Sequence, residues 1–254
     1  MELSIVIICK NDVTGIERTL QSVRGLGAEI LVYDSGSIDG TKEVALKNGA
    51  SLYEGEWEGY GRNRFKAAQL AKYDWILMLD TDEVVDEALK ESIKLLDFTS
   101  QHQVYRLQYK NYFGTKWLRY GEWGKDSHIR LGNRRGIKTD GEIVHEKLFV
   151  QPGIEICLIK GHILHYTVKN SIDFAQKMIN YAQLSAEKYN RQGKKAGFLK
   201  IFVSPAFAFI KNYFFKLGFL DGWEGYICAR MGAWYTFMKY ARLRELNKSI
   251  KTQL

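Results

Sequence analysis

The sequence predicts an α/β protein with a mixed, mostly parallel sheet flanked by helices, and a helical, basic, aromatic-rich extension at the C-terminal end. Three observations lead to this fold class. Short runs of apolar, often β-branched residues alternate with helical patterns in the N-terminal part, which is the order of a doubly wound sheet. Acidic residues follow these runs, where such sheets bind ligands. The net positive charge of the chain lies wholly in its last two-fifths, where acidic residues are few.

Length and composition allow one large domain or a domain with an appendage, because 254 residues that are 46% apolar bury a full core. We divide the chain into a catalytic domain, residues 1–166, and a helical extension, residues 167–254. Residues 1–150 carry 21 Lys and Arg against 23 Asp and Glu, a net charge of −2; residues 151–254 carry 16 against 6, a net charge of +10. This asymmetry predicts an anionic partner for the extension, either nucleic acid or an anionic membrane surface.

The cysteines and the apolar runs bear on the compartment. Cys9, Cys157 and Cys228 are scattered and form no Cys-x-x-Cys, which disfavours a disulfide framework or a zinc site. The first residues resemble a strand more than a signal peptide, and no run of 18 apolar residues is present. We therefore expect a cytoplasmic protein, with contact to a membrane surface left open.

The first strand–helix pairs lead to a loop with binding character. Strands are predicted at Leu3–Cys9 and Glu29–Tyr33, the first followed by a helix capped by Thr14. The second strand ends in the loop from Asp34 to Thr41, whose acid, small hydroxyls and glycines, Gly36 among them, suit close approach to a base or ribose. A plain tight turn explains these residues equally well. Gly-x-Gly-x-x-Gly is absent, which disfavours nicotinamide and flavin cofactors.

The central segment runs from Asp74 to Glu83. Its five consecutive apolar residues between acids predict a strand buried on both faces. Alternation along a strand would place Asp80 and Asp82 on one side, roughly 6 to 7 Å apart. Two such carboxylates repel unless a positive group lies between them, and a divalent cation carrying phosphate oxygens is the simplest candidate. Alternatively, Asp82 is only the N-cap of a helix within Glu83–Leu96.

A basic segment precedes the central strand. Residues 57–68 contain two glycines and three cations near a short helix predicted at Arg64–Ala71. These cations suit a diphosphate, although a solvated basic helix face accounts for them as well.

Together the Asp34–Thr41, Gly59–Arg64 and Asp74–Glu83 segments, in this order, resemble the family 2 glycosyltransferases, which have the Rossmann-like GT-A fold. The similarity is strongest to the branch that includes lipopolysaccharide-core β-1,4-glucosyltransferases. It covers residues 1 to about 96 well and the remainder more loosely.

The resemblance implies roles for individual residues. Asp34 would contact uracil, Arg64 would be the cation near the donor, and Asp80 and Asp82 would hold Mg²⁺ or Mn²⁺ together with the sugar nucleotide. Asn11 is a weaker candidate for base contact, because Cys9-Lys10-Asn11 replaces the proline common after the first strand.

An inverting transferase also needs a carboxylate that takes the acceptor proton. We expect Glu146 to be this base, because His145-Glu146 resembles a recurring pair of the branch, with Asp126 as the rival. His165, three residues after His162, is a candidate metal ligand by the same resemblance, although a structural histidine is the common alternative.

The extension begins with a helix predicted at Ile172–Arg191, capped by Ser171. The segment Phe198–Leu217 then interleaves seven aromatic residues with three lysines around Pro205. Its charges argue against a spanning helix and favour a segment that lies in a membrane interface. A dimer face or a face within the domain is the alternative.

Together with these patterns, the resemblance implies an inverting, metal-dependent glycosyltransferase. It would move a hexose, expected to be glucose, from a UDP-sugar to a hydroxyl of a membrane-associated glycan or glycolipid acceptor such as lipopolysaccharide core, and it would be peripheral on the cytoplasmic face of the inner membrane. Two alternatives are a nucleotidyltransferase, which also uses paired carboxylates, and a basic nucleic-acid-binding protein. No nucleic-acid-binding motif is present, so we expect no nucleic acid partner.

Overall fold

A computed structural model describes residues 2–99, 102–139 and 148–251. Within these residues, a sheet has the strand order β3-β2-β1-β4-β8-β6-β11-β5, with β7 paired to β6, and β9 and β10 form a separate pair. The strands are β1 Leu3–Cys9, β2 Glu29–Asp34, β3 Ser51–Glu54, β4 Trp75–Asp80, β5 Glu83–Val85, β6 Gln103–Phe113, β7 Lys116–Trp117, β8 Asp126–Asn133, β9 Ile137–Thr139, β10 Leu148–Val150 and β11 Glu155–Val168.

The helices of the described residues lie between these strands and after the last one. They are α1 Val13–Ser22, α2 Thr41–Lys47, α3 Tyr60–Leu70, α4 Glu87–Lys94, α5 Ser171–Arg191, α6 Phe198–Ile210 and α7 Gly222–Lys251. A π-helical turn, Lys211–Phe215, and a 3₁₀ turn, Gly218–Asp221, connect α6 to α7. The predicted mixed α/β fold with a helical C-terminal region is confirmed.

The N-terminal part of the sheet is parallel and buried. Every residue of β1 is buried, and β1 pairs in parallel with both β2 and β4. Its register sets Cys9 opposite Asp34 and Ile8 opposite Asp80. The carboxyl ends of β1, β2 and β4 therefore meet at one edge, as expected for buried parallel strands.

The remaining pairings change the direction of the sheet. Strand β8 runs antiparallel to β4 and to β6, and β11 runs antiparallel to the short strand β5, with His165 opposite Glu83. Another pair in register is Tyr109 and Asp126. Side chains from distant parts of the sequence thus lie beside the parallel edge.

Three helix caps differ from those predicted. The side chain of Asp12, and not Thr14, caps α1, and Asn170 caps α5 in place of Ser171. The predicted helix after Asp82 is interrupted, because Glu83–Val85 forms β5 and Asp86 caps α4. The alternative in which Asp82 is only an N-cap is therefore wrong.

The chain divides into two compact units. Unit 1 comprises residues 1–110 and 126–165, and unit 2 comprises residues 111–125 and 166–254. The predicted division into a catalytic domain, residues 1–166, and a helical extension, residues 167–254, stays a prediction, because compactness assigns no role to either unit.

Unit 2 is mainly helical, and in it α5 and α6 both pack along α7. The stretch Phe198–Phe215 is long and apolar enough to cross a membrane by length and composition, and only 11% of it is buried. Length and composition alone are weak grounds for a spanning helix.

Candidate active site

The loop after β2 is organised by the carboxylate of Asp34, which is fully buried. Its Oδ1 accepts hydrogen bonds from the backbone N–H of Gly36, at 2.9 Å, and of Ser37, at 2.8 Å. Its Oδ2 accepts from the Cys9 thiol at 3.2 Å. Burial alone would raise the pKa of Asp34, but the hydrogen bonds from Ser37, Cys9 and Gly36 outweigh burial and lower the pKa below its ordinary value. Asp34 is therefore ionised at neutral pH.

Gly36 and Asn11 shape the mouth of this loop. Gly36 adopts a left-handed φ of +85°, and nothing lies within 4 Å of where its Cβ would be, so the space beside its backbone is open. Asn11 is also left-handed, with a φ of 49°. Its N–H donates to Ser37 Oγ, and its side-chain oxygen accepts from the N–H of Ile38. Asn11 thus ties the end of β1 to the Asp34 loop.

Asp80, the last residue of β4, forms an ion pair with Arg64 of α3. Arg64 donates from Nε to Oδ1 at 3.2 Å and from Nη2 to Oδ2 at 2.5 Å, and Arg130 Nη2 lies 3.7 Å from the same carboxylate. Burial alone would raise the pKa of Asp80, but the charges of Arg64 and Arg130 lower it below its ordinary value, against the opposing effect of Asp82. The positive groups beside Asp80 are therefore two guanidiniums.

Arg130, on β8, also joins the neighbouring buried polar groups. Its Nε donates to the Tyr109 hydroxyl at 2.9 Å, and its Nη2 lies 3.3 Å from Glu83 Oε1. Glu83 is 1% exposed, and its other oxygen accepts from the N–H of Asp80. A buried carboxylate of this kind is stable only when it is paired, so Arg130 holds Glu83 and the end of β4 together.

Asp82 lies in the turn after β4 and faces His165. The strand ends at Asp80, so the predicted strand alternation between Asp80 and Asp82 is absent. Asp82 Oδ1 is 3.5 Å from His165 Nε2. Burial alone would lower the pKa of His165, but the charge of Asp82 raises it above its ordinary value. His162 and His165 both lie within β11, and His162 pairs with Asp86.

Helix α1 holds the turn between Asp80 and Glu83. The Thr19 hydroxyl lies 2.7 Å from the carbonyl oxygen of Thr81 and 2.8 Å from that of Glu83. The Thr81 hydroxyl donates to Asp12 Oδ2 at 2.8 Å, close to the N-terminal end of the same helix. Hydrogen bonds from α1 and its N-cap therefore hold the turn Asp80–Glu83, which we call the acid turn.

Of the two candidate bases, only Asp126 lies within the described residues. Asp126, at the start of β8, lies 3.0 Å from His128 Nε2. The ring of Tyr109 makes edge contacts with His128, at 5.0 Å, and with His165, at 5.8 Å. Asp126 is thus linked through aromatic contacts to the neighbourhood of Asp82. Glu146 and His145 lie outside the described residues.

The side chains at this edge suit a divalent cation only with help from a substrate. Within residues 2–99, 102–139 and 148–251, no group of three or more His, Cys, Asp and Glu side chains is placed to hold a metal. The carboxylate of Asp82 and the imidazole of His165 are suitable ligands that face each other, whereas both oxygens of Asp80 accept from Arg64. Phosphate oxygens and water would have to complete the shell, as is usual for Mg²⁺.

Several residues of the site were not foreseen from the sequence. They are residues that hold the acids in place: Asp12, Thr19, Asn63, Glu83, Tyr109 and Arg130. Asn63 lies inside the motif that carries the resemblance and donates to Ser35 Oγ at 2.8 Å. Its position in that motif was a usable signal. No comparable signal marks Arg130, because its partners are brought to it only by antiparallel pairing.

The parallel sheet edge thus presents the buried Asp34 loop, the Arg64–Asp80 ion pair and Asp82. Residues 4–154, more than half of the chain, match the family model described as glycosyl transferase family 2. The chain therefore belongs to family 2 of the glycosyltransferases, and the resemblance in the sequence is confirmed.

Two relatives match over nearly the whole chain. An uncharacterized glycosyltransferase of Rickettsia bellii is 27% identical, over 97% of this chain and 87% of that protein. The lipopolysaccharide core biosynthesis glycosyltransferase LpsC of Rhizobium meliloti is also 27% identical, over 96% of this chain and 92% of that protein. Relatives thus include a protein of lipopolysaccharide core synthesis.

Among solved structures, this chain is similar to glucosyl-3-phosphoglycerate synthase of Mycobacterium tuberculosis in complex with Mn²⁺, uridine diphosphate and glucosyl-3-phosphoglycerate. The identity is 22%, the match covers 44% of this chain and 43% of that chain, and the TM-score is 0.35. The match spans less than half of the solved chain, and at this TM-score nothing about substrates follows from it.

Proposed function

We propose that this glycosyltransferase is an inverting, metal-dependent hexosyltransferase that uses a UDP-sugar, with glucose as the expected sugar. The acceptor we propose is a hydroxyl of a membrane-associated glycan or glycolipid such as lipopolysaccharide core. One observation carries the donor part of the proposal. The buried Asp34 loop, the Arg64–Asp80 pair and Asp82 with His165 follow strands β2 and β4 or lie against them, at one edge of unit 1.

Each group has a chemical task in this proposal. The loop that the ionised Asp34 organises, with the open backbone at Gly36, recognises the base that the family resemblance assigns to Asp34. Arg64, held by Asp80, supplies positive charge for the diphosphate. Asp82 and His165 would hold Mg²⁺ or Mn²⁺, which when bound stabilises the charge of the leaving diphosphate.

The remaining step is removal of the acceptor proton. An inverting transfer needs one carboxylate on the acceptor side and no strong general acid, because the leaving diphosphate already carries charge. Glu146 stays our first candidate by resemblance. Asp126, paired with His128, stays the rival.

The acceptor part of the proposal has two supports. One relative, which this chain matches over 92% of that protein's length, is named for lipopolysaccharide core biosynthesis. The basic C-terminal part, with a net charge of +10 over residues 151–254, fits an anionic membrane surface. We accordingly propose a peripheral location on the cytoplasmic face of the inner membrane.

Thermal unfolding with UDP, GDP and dTDP, each with and without Mn²⁺, tests the donor assignment. A ligand that binds only the native state stabilises it by about 2.7 kcal/mol at a hundredfold excess over its Kd. We expect UDP with Mn²⁺ to raise the melting temperature most, and Asp82→Asn to abolish the part that depends on Mn²⁺. Asp97→Asn, an exposed acid outside the site, is the matched control. Equal stabilisation of Asp82→Asn and wild type would remove Asp82 from the metal site.

A further inference from the structure

Unit 2 presents an apolar surface that its own residues leave uncovered. Along α6 the exposed side chains are apolar and recur at helical spacing: Leu199, Phe202, Val203, Phe207 and Ile210. Phe202 is 58% exposed and Phe207 is 57% exposed. The opposite side of α6 carries Ile201, which is buried. The helix therefore packs on unit 2 through one side and offers a continuous apolar stripe on the other.

The turns between α6 and α7 extend this surface. Phe214, Phe215, Phe219, Leu220 and Trp223 are all at least 43% exposed, and Phe215 reaches 74%. Leu217, in the same segment, adopts a left-handed φ of 58° and is 43% exposed. A glycine would adopt this conformation without strain, so the chain retains an exposed apolar side chain at an energetic cost.

Polar groups on the inner side fix these turns. The Asp221 carboxylate accepts hydrogen bonds from the backbone N–H groups of Arg119 and Tyr120, at 2.8 to 3.1 Å. Asn212 Nδ2 donates to Glu122 Oε2 at 3.2 Å, and the N–H of Gly121 donates to the carbonyl of Lys216 at 2.8 Å. These hydrogen bonds therefore fix the backbone from which the exposed aromatic side chains project.

Charge identifies what covers this surface. Between Glu187 and Asp221 the chain has seven cations and no acid: Lys188, Arg191, Lys194, Lys195, Lys200, Lys211 and Lys216. Lys200 and Lys211 are eleven residues apart, about three helical turns, so they flank the apolar stripe of α6 on the same side. Apolar side chains bordered by lysines are what an anionic bilayer surface binds, since the lysines reach headgroups while the aromatic rings enter the interface.

A second copy of the chain fits this surface less well. A two-fold dimer would bring the same patch from both copies together, and with it the lysines of each, so like charges would face one another. A spanning arrangement is also disfavoured. Helix α6 packs along α7, which carries Arg230 and Lys239, so crossing the bilayer would bring further charge to its core.

We propose that α6 and the turns that follow it, Phe198–Trp223, form a docking face that lies in the plane of an anionic membrane. Leu199, Phe202, Phe207, Phe214 and Phe215 enter the interface, and Lys200, Lys211 and Lys216 bind lipid phosphates. The proposal deepens the proposed function by assigning its membrane contact to named residues, and it needs neither the donor nor the acceptor.

Vesicle flotation of the full chain, without nucleotide, tests the docking face. We expect binding to phosphatidylcholine vesicles that contain about one-third phosphatidylglycerol, weak binding to pure phosphatidylcholine, and loss of binding as salt rises. The triple variant Lys200→Glu, Lys211→Glu, Lys216→Glu should weaken binding on the order of a hundredfold, at about 1 kcal/mol for each lysine. The control Arg24→Glu, Lys47→Glu, Lys72→Glu changes the net charge equally on exposed residues of unit 1.

A second variant, Phe207→Ser with Phe214→Ser and Phe215→Ser, removes apolar side chains from the docking face. It should lose binding to the vesicles while its circular dichroism spectrum stays that of the wild type. Titration calorimetry with UDP and Mn²⁺ on the same samples reports the donor site separately, so failure of docking and failure of the donor assignment are distinguishable. The proposal is overturned if the wild type does not bind anionic vesicles, or if the unit 1 control loses as much binding as the triple lysine variant. Sedimentation showing a lipid-free dimer that the Phe variant abolishes would assign the face to a second copy instead.

Discussion

The thiol of Cys9 supports the Asp34 loop, to which we assign recognition of the base. Its hydrogen bond to Asp34 Oδ2, at 3.2 Å, lies between two buried side chains. Burial and the neighbouring Asp34 charge raise the pKa of Cys9 well above its ordinary value. The thiol therefore stays protonated and donates a hydrogen bond to Asp34. Cys9 is therefore a positioning residue that acts through Asp34.

Replacement of Cys9 by alanine should weaken UDP binding about fivefold, because a net hydrogen bond contributes about 1 kcal/mol. Cys9→Ser restores a donor and should recover most of the affinity, which a purely steric role would not predict. Titration calorimetry with UDP and Mn²⁺ measures both variants. Cys157→Ala, a half-buried cysteine of β11, is the control, and equal weakening there would rule out a role through Asp34.

The lowered pKa of Asp34 also predicts how the free energy of unfolding depends on pH. Its pKa is lowered in the folded state, so its contribution to stability is present above the unfolded value of about 3.9 and is lost as the pH falls through the lower, folded value. The stability difference between wild type and Asp34→Asn should therefore be largest near neutral pH and shrink below about pH 4. Urea unfolding across this range measures it. Glu17→Gln, at an exposed acid of α1, is the control measured in parallel, and a flat difference for Asp34→Asn would contradict the assignment.

At the scale of elements, α1 is the support of the acid turn. The single hydroxyl proton of Thr19 serves the carbonyl groups of Thr81 and Glu83, and Thr19 is fully buried. Valine has the same shape but no donor, so Thr19→Val leaves buried carbonyl groups unsatisfied. The position of Asp82 in the turn depends on these bonds.

Thr19→Val should lower the free energy of unfolding by about 1 to 3 kcal/mol and weaken the binding of Mn²⁺ with UDP, since the turn that carries Asp82 loosens. Chemical denaturation and calorimetry give the two quantities. The matched change Thr14→Val, at an exposed position of the same helix, should leave both nearly unchanged. Loss of stability without loss of metal-dependent binding would mean that α1 supports the fold but not the site.

Elements also show where prediction from sequence succeeds and where it fails. The apolar runs of β1, β2 and β4 locate Asp34 and Asp80 at strand ends, because residues buried on both faces leave a local composition signal. The partners of these acids leave no such signal. Arg130 reaches Glu83 only because β8 pairs antiparallel to β4, a contact across 47 positions of sequence.

The two histidines of β11 have different partners because of strand geometry. Residues three apart on a strand point to opposite faces of the sheet. His162 therefore meets Asp86 while His165 meets Asp82. The sequence analysis named His165 as the candidate ligand, but its approach to Asp82 could not be predicted, because it depends on the antiparallel pairing of β11 with β5.

At the scale of the whole molecule, the two proposed activities occupy different compact units. The donor residues fall between Cys9 and His165 in unit 1, and the docking face, Phe198–Trp223, falls in unit 2. Their charge differs as well: unit 1 has 19 Lys and Arg against 23 Asp and Glu, a net charge of −4, and unit 2 has 18 against 6, a net charge of +12. Donor binding and membrane binding should therefore be measurable one at a time in the intact chain.

Hydrogen exchange on the full chain tests this separation. UDP with Mn²⁺ should slow exchange in the Asp34–Thr41 loop and around Asp80–Glu83, because ligand binding suppresses local opening where it makes contacts. Anionic vesicles should instead slow exchange within Phe198–Trp223. Asp82→Asn should lose only the protection that depends on Mn²⁺, and the triple lysine variant of α6 should lose only the protection by vesicles. If vesicles protect the Asp34 loop and leave α6 unchanged, the membrane contact lies in unit 1, and the basic extension has another role.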